Sequence, residues 1–490
     1  MIRFHNVCFT YTGTAAAEAG VKDIDLSIGT GECILLCGRS GCGKTTLTKL
    51  LNGLIPGYFP GELSGDVHID SLDVLETKMY QLSQKVGSVF QNPRTQFFNV
   101  DVDSEIAFGI ENAALPPDEL HRRLESTLDD LNIRHLQGRN IFELSGGEKQ
   151  KVAFASVYAM GPDIYLLDEP SSNLDIAAIE DLKGYLRLLK EQGKTVLIAE
   201  HRLYYLLDLA DRIVYLSEGR VEHIYTPSEL RAISDTDRKG MGLRAADLDA
   251  VHPQTAVPRS EHPLLTIQDV SVFYKKRLIL ENISLKASKG EIIGVVGRNG
   301  AGKTTFLRTL CGLHKEYTGR FLWQEEIQNV KERRKRAYMV MQDVNYELFA
   351  DSVEAECSFG IRDPDRTLAE KTIEELGLLE VRERHPNTLS GGQKQRVAVA
   401  VSMICGKELL VFDEPTSGLD YDSMEQVGKL IRKLAKDAII FIVTHDYEFV
   451  CQTCTRLICF DEHRLTGDIP MSPENERTVH SLMGIKEDNP

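Results

Sequence analysis

Two short apolar runs, ECILLCG at 32–38 and EIIGVVG at 291–297, set the pattern of the chain. Each is unbroken rather than alternating, and each is bounded by glycine. Such a run reads as a strand covered on both faces. Each follows an earlier strand region, FHNVCFTY (4–11) or IQDVSVFY (267–274). Each leads through a glycine-rich turn into a helical stretch, KTTLTKLLNGL (44–54) or KTTFLRTLCGL (303–313). A mostly helical middle follows. Then come a helix, an apolar strand (DIYLLDE, 163–169; ELLVFDE, 408–414), another helix and another apolar strand (KTVLIAEH, 194–201; AIIFIVTH, 438–445). Strands alternating with helices around apolar runs predict an α/β fold with a mainly parallel, buried sheet.

The pattern occurs twice because the chain repeats itself. GRSGCGKTTL (38–47) returns as GRNGAGKTTF (297–306), LSGGEKQ (144–150) as LSGGQKQ (389–395), and YLLDEPSSNLD (165–175) as LVFDEPTSGLD (410–420). The spacing of Ser145 to Ser390 equals that of Glu169 to Glu414. The spacing of Lys44 to Lys303 is longer, so the first copy carries a net insertion between its glycine-rich loop and its LSGG turn. The expected domains are 1–228 and 263–490. Residues 229–262, polar and mixed in charge with Pro and Gly, suit a linker. A length of 490 residues agrees with more than one hydrophobic core.

Composition changes this picture little. Hydrophobic content of 42% and charged content of 27% are ordinary for a globular protein. The longest apolar stretches are broken, 152–167 by Asp163 and 397–412 by Lys407 and Glu408, so no membrane span is expected. The opening MIRFHNVCFTYTG lacks the apolar core of a signal peptide, and the expected location is the cytoplasm. The 10 cysteines are scattered, and Cys33, Cys37, Cys311 and Cys405 sit in apolar surroundings, as reduced core thiols do. Cys451 and Cys454 form one CxxC, and no second pair at metal spacing supports a zinc site. A net charge of −16 argues against wrapping a nucleic acid, and has no bearing on a local nucleotide pocket.

The chemistry sits on the repeated motifs. Gly38, Arg39, Ser40, Gly41, Cys42, Gly43, Lys44 and Thr45 fit GxxxxGK[ST]. So do Gly297, Arg298, Asn299, Gly300, Ala301, Gly302, Lys303 and Thr304. The backbone N–H groups of such a loop close around phosphates, and Lys44 and Lys303 reach the terminal ones. Thr45 and Thr304 offer a hydroxyl to Mg²⁺, with Thr46 and Thr305 beside them. Asp168 and Asp413, at the ends of apolar strands, are placed to hold the metal. Glu169 and Glu414 follow at once, where a carboxylate can orient and deprotonate an attacking water. His201 and His445 end the next strand and are read as γ-phosphate contacts. Gln91 and Gln342 follow apolar strands (VGSVFQ, AYMVMQ) and are read as reaching Mg²⁺ or the lytic water. Tyr11 and Tyr274 precede the phosphate loops, with stacking on adenine or packing within the strand as the two readings.

Together these residues resemble the ATP-binding-cassette (ABC) superfamily, over nearly the whole chain apart from the linker. LSGGQ immediately before a helix is among that superfamily's most specific signatures. The resemblance implies two tandem P-loop NTPase domains of the ABC type. Each has a mainly parallel sheet core, an antiparallel β subdomain and a helical subdomain. It also implies an ATP hydrolase working as a head-to-tail sandwich, with the two domains pairing inside one chain. One site would combine Lys44, Thr45, Gln91, Asp168, Glu169 and His201 with Ser390, Gly391 and Gly392. The other would combine Lys303, Thr304, Gln342, Asp413, Glu414 and His445 with Ser145, Gly146 and Gly147. ATP then favours the closed state and hydrolysis releases it.

The resemblance narrows further. No space for a long coiled-coil insertion separates Lys44 from Ser145 or Lys303 from Ser390, and no N-terminal cysteine cluster is present. VFQNPRTQFFNVDVDSEIAFGIEN (89–112) closely resembles the matching segment of energy-coupling-factor (ECF) and cobalt-type importer ATPases. MQDVNYELFADSVEAECSFG (341–360) is a looser match. That implies a motor at the inner face of the cell membrane, working beneath a transmembrane coupling subunit. A separate membrane protein would capture a vitamin or metal ion, and no nucleic acid is involved. The Gln91 and Gln342 loops would line grooves that receive helices of the membrane subunit. A tandem sugar-type importer ATPase and a soluble non-transport ABC ATPase are the alternatives.

Overall fold

The computed structural model describes residues 1–12, 20–254, 262–342, 344, 347–361, 364–389 and 391–485. It divides into two units, Met1–Asp247 and Leu248–Pro490. Among the described residues the first unit has strands β1 (Ile2–Tyr11), β2 (Gly20–Ile28), β3 (Cys33–Cys37), β4 (Gly61–Ile69), β5 (Leu72–Asp73), β6 (Val86–Val89), β7 (Ile164–Asp168), β8 (Thr195–Ala199), β9 (Arg212–Ser217) and β10 (Arg220–Tyr225). The first apolar run is β3, and it lies inside a six-stranded sheet of order β10-β9-β3-β8-β7-β6. Its neighbours β8 and β9 are parallel to it, as are β6 and β7 within the same sheet, whereas β10 is antiparallel. The alternating pleat of β3 explains why the whole run is apolar. Ile34 and Leu36 enter one core, with Phe4, Phe9, Leu47 and Leu50. Cys33, Leu35 and Cys37 enter the other, with Ile106, Phe154 and Leu206.

The first core is closed by a four-stranded antiparallel sheet of order β2-β1-β4-β5. The second lies under the helical side, built from Val102–Asn112, Pro117–Asp130 and Gly146–Met160. Residues 227–247 are helical in two pieces, Pro227–Ala232 capped by Thr226 and Asp235–Gly240 capped by Ser234. They are tied to the first unit through Tyr215, whose hydroxyl donates to the Met241 carbonyl at 3.2 Å.

The second unit repeats the plan with strands β11 (Leu265–Tyr274), β12 (Arg277–Ala287), β13 (Ile292–Val296), β14 (Tyr317–Trp323), β15 (Glu326–Ile327), β16 (Ala337–Val340), β17 (Leu409–Asp413), β18 (Ile439–Val443), β19 (Arg456–Asp461) and β20 (Arg464–Pro470). Its sheets have orders β12-β11-β14-β15 and β16-β17-β18-β13-β19-β20. Val251 and Gln254 bond to this unit, the first through the Tyr447 hydroxyl at 2.9 Å, the second to the Cys451 carbonyl at 3.3 Å. The α/β architecture is the one expected from the chain's pattern, with the antiparallel and helical parts added to the parallel core. No helix among the described residues is long and apolar enough to cross a membrane.

Candidate active site

Each phosphate loop joins the C-terminal end of a central parallel strand to a helix, β3 to Lys44–Leu51 and β13 to Lys303–Leu310. A ligand facing that end meets the helix N-terminus and its free N–H groups. The loop needs glycine at its first position. Gly38 has φ 140°, and a Cβ there would lie 2.2 Å from the Leu216 carbonyl oxygen. Gly297 has φ 135° and the same conflict with Phe460 at 2.1 Å.

The lysines are buried and curl back into their loops. Lys44 Nζ donates to the carbonyls of Gly38 at 2.9 Å and Arg39 at 3.0 Å. Lys303 Nζ does the same to Gly297 at 2.6 Å and Arg298 at 3.0 Å. An ammonium held this way, in a loop of inward N–H groups, is ready to exchange carbonyl oxygens for phosphate oxygens. Thr45 Oγ1 donates to Asp168 at 3.0 Å, and Thr304 Oγ1 to Asp413 at 2.9 Å. Burial pushes the Asp168 carboxyl up to about 6, with the adjacent Glu169 charge adding to it. Asp413 is raised as well, again by burial. A carboxylate destabilised in this way is a good partner for a cation.

Glu169 and Glu414 stand one residue past these strands in the left-handed region, at φ 44° and 53°. A non-glycine residue rarely adopts that conformation, and it does so here at the matching place in both units. Each backbone N–H donates to the end of the neighbouring strand, Ala199 at 2.8 Å and Val443 at 2.9 Å, which holds the turn. His201 Nε2 lies 3.5 Å from Glu169 Oε1, and His445 Nε2 lies 3.5 Å from Glu414 Oε1. His201 is 5% exposed, and its Nε2 has no hydrogen-bond partner among the described residues. His445 Nε2 also meets Asn299 Oδ1 of the phosphate loop at 3.1 Å. Gln91 Nε2 donates to Glu169 Oε2 at 2.6 Å, and Gln342 lies two residues past the matching strand β16. In each unit the structure thus gathers Lys, Thr, Asp, Glu and His around one strand end, with Gln91 joining them in the first.

Other expected residues lie apart from that cluster. Ser145 caps the helix Gly146–Met160 in a reciprocal box, accepting the Glu148 N–H at 3.3 Å while Glu148 accepts the Ser145 N–H at 2.8 Å. Gly146 and Gly147 form the first turn of that helix, and Gly391 and Gly392 the first turn of Gly391–Ile404. Ser390 lies outside the described residues. The two tyrosines differ. Tyr11 is turned inward, its ring edge-on to Phe9 at 4.8 Å and its hydroxyl 3.2 Å from Thr46 Oγ1. Tyr274 stands 54% exposed, with the His314 ring stacked at 6.2 Å and the Lys275 ammonium 5.8 Å from its ring centre.

The fold also reveals residues that motif reading passed over. Glu105 and Glu356 are buried, and each carboxylate accepts two backbone N–H groups of the loop ahead of it. Glu105 takes Phe98 at 3.0 Å and Asn99 at 2.7 Å; Glu356 takes Phe349 and Ala350, both at 2.7 Å. The loops so held expose Phe98 (74%) and Phe349 (67%). Phe98 stacks on Phe108 at 4.9 Å, and Phe349 meets Phe359 at 6.4 Å. The signal was present in the sequence, since Phe98, Glu105 and Phe108 recur as Phe349, Glu356 and Phe359 at one constant spacing between copies.

Comparison with known proteins agrees with this geometry. The family model described as ABC transporter matches residues 21–172 and 280–417. A Treponema denticola protein described as an ABC transporter ATP-binding protein is 48% identical, across 97% of this chain and 98% of its own length. Among solved structures, the cbiO1 protein of Clostridium perfringens, part of the ABC transporter complex cbiONQ, is 29% identical. That match covers 49% of this chain and 93% of the other, at a TM-score of 0.43. A model of ribosome-bound archaeal Pelota and ABCE1 includes a chain with the same fold, 22% identical at a TM-score of 0.70, covering 97% of this chain and 80% of that one. With paired phosphate loops, paired strand-end Asp–Glu and a full-length relative, the chain belongs to the ABC transporter family and is an ATP-binding, ATP-hydrolysing protein of two tandem ABC domains.

Proposed function

We propose that the chain is the motor subunit of a membrane importer of the ECF type, taking up a vitamin or metal ion. It would work from the inner face of the membrane with a transmembrane coupling subunit and a separate substrate-capture protein. The observation that carries this reading is the exposed aromatic pair that follows the Gln in both units, held by a buried glutamate. Large exposed aromatics on a rigid support suit a helix docking from another protein. They fall within 89–112 and 341–360, the segments that resemble ECF-type ATPases. Phe98→Asp with Phe349→Asp should abolish co-purification with membrane proteins while leaving ATP binding intact. Retained co-purification, or recovery with ribosomes instead, would overturn the reading.

The ATP sites are composite in this proposal. Lys44 and Lys303 hold the β- and γ-phosphates, and the Ser–Gly–Gly turn of the other domain closes each nucleotide. Tyr274 stacks on adenine. His201 and His445 contact the γ-phosphate, while Glu169 and Glu414 take the proton of the attacking water. Thr45 with Asp168, and Thr304 with Asp413, present hard oxygen donors. These residues would hold Mg²⁺, which when bound would supply positive charge against the phosphates. Glu169→Gln with Glu414→Gln should bind ATP and lose turnover by about 10²-fold or more. Either single variant should keep partial activity. Full turnover in the double variant would remove the assigned bases.

A further inference from the structure

The two phosphate loops share one backbone shape. Gly41 and Gly300 stand at φ 82° and 85°, and Lys44 and Lys303 bond to matching carbonyls. The histidines are placed alike as well. Both are buried, and each Nε2 lies 3.5 Å from its glutamate. What differs around them is one side chain of the loop. GRNGAGKT carries Asn299 where GRSGCGKT carries Ser40. Asn299 Oδ1 lies 3.1 Å from His445 Nε2. An amide oxygen only accepts, so His445 Nε2 carries the proton and donates it. The serine side chain ends one carbon sooner, and His201 Nε2 has no hydrogen-bond partner among the described residues.

A buried polar atom without a partner is costly, and a ligand that supplies the partner recovers that cost. A γ-phosphate oxygen reaching His201 Nε2 provides a bond that the protein does not. The same oxygen reaching His445 Nε2 must displace Asn299 Oδ1, so one bond is gained and one is lost. The difference falls on the third phosphate alone, because ADP has no γ-phosphate to offer.

We propose that Asn299 is a specificity-determining residue. It occupies His445 and lowers the preference of the second unit's phosphate loop for ATP over ADP, so that the first unit selects ATP more strongly. The proposal rests on the reading of His201 and His445 as γ-phosphate contacts. A buried group left unpaired shifts an equilibrium by about five- to hundredfold. The ATP-to-ADP affinity ratio of the first unit should exceed that of the second by a factor in this range.

The test uses the full-length chain with one phosphate loop disabled, K303A to read the first unit and K44A to read the second. ATP and ADP each compete against a fluorescent ADP without Mg²⁺, so no turnover intervenes. The readout is the ratio of the two affinities, in which a general weakening of the loop cancels. The K303A chain should show the higher ratio. Adding N299S to K44A should raise the ratio, and adding S40N to K303A should lower it. Each swap installs a residue that the other loop already carries on the same backbone. The loops' other difference, Cys42 against Ala301, stays as it is. Adding H445A to K44A/N299S should remove the gain, as coupled residues in a mutant cycle require. Equal ratios in the K303A and K44A chains overturn the proposal, as do swaps that keep the parent ratio. Should H201A leave the ratio of the K303A chain unchanged, the γ-phosphate reading of the histidines falls, a result told apart because it involves neither swap.

Discussion

Glu347 sets a buried carboxyl in the second unit where the first has an amide. In the first unit the matching residue is Gln96, whose Oε1 accepts the Phe90 N–H at 3.4 Å and whose Nε2 donates to the Ala153 carbonyl at 3.4 Å. Glu347 keeps the first bond, from Met341 N at 3.0 Å, and its Oε2 has no hydrogen-bond partner among the described residues. Burial pushes its carboxyl up to about 7, with Asp413 and Glu356 adding to the effect. The folded chain therefore binds this proton more tightly than the unfolded one. Its stability contribution is full below about 4.5 and is lost as pH rises through about 7. Glu347→Gln should raise the unfolding midpoint of the second unit at pH 8 and leave it nearly unchanged at pH 5. The ceiling is about 3 kcal/mol. An equal effect at both pH values would show that the acid is not buried uncharged. The residues of the phosphate loop and strand-end cluster were legible in the chain because their chemistry demands particular types at fixed local spacing. Glu347 was not, because the meaning of a glutamate there depends on how deeply the fold buries it.

At the scale of elements, the short helix Val330–Arg336 carries the clearest mismatch between copies. It begins with a reciprocal cap between Asn329 and Glu332, so its start is well specified. Its Arg333 is 4% exposed, with the guanidinium 4.0 Å from the Phe321 ring centre and 4.6 Å from that of Tyr317. None of its side-chain nitrogens has a hydrogen-bond partner among the described residues, so ring faces stand in for acceptors. The first unit places Leu82, fully buried, at the same distance ahead of its Gln. Arg333→Leu should raise the thermal midpoint, by the equivalent of about 1–4 kcal/mol, since well-packed apolar atoms replace a desolvated charge. A lower midpoint would mean that the cation–ring stacking outweighs desolvation. The strands themselves were readable, because a run that must be covered on both faces has few alternatives to apolar residues. Which helix covers which face was not, since that depends on contacts distant along the chain.

At the scale of the whole molecule, each unit owns two cores, one on either face of its six-stranded sheet. Residues 1–247 expressed alone should fold and bind ATP, since Lys44, Asp168, Glu169 and His201 all lie within them. In dilute solution they should hydrolyse it at least about tenfold more slowly than the full chain, because a tethered partner acts at high effective concentration. Adding residues 248–490 at high concentration should restore the rate. Full activity in the isolated first unit would contradict composite sites.

The sequence by itself determined the repeat, the α/β class and the residues proposed to face a nucleotide. Phosphate binding is done by a contiguous backbone loop, and a contiguous loop is visible in a string. The tertiary structure decided what surrounds those residues: the inward turn of Tyr11 and the buried glutamates beneath Phe98 and Phe349. These depend on burial and on partners drawn from separate segments, and folding alone brings such segments together.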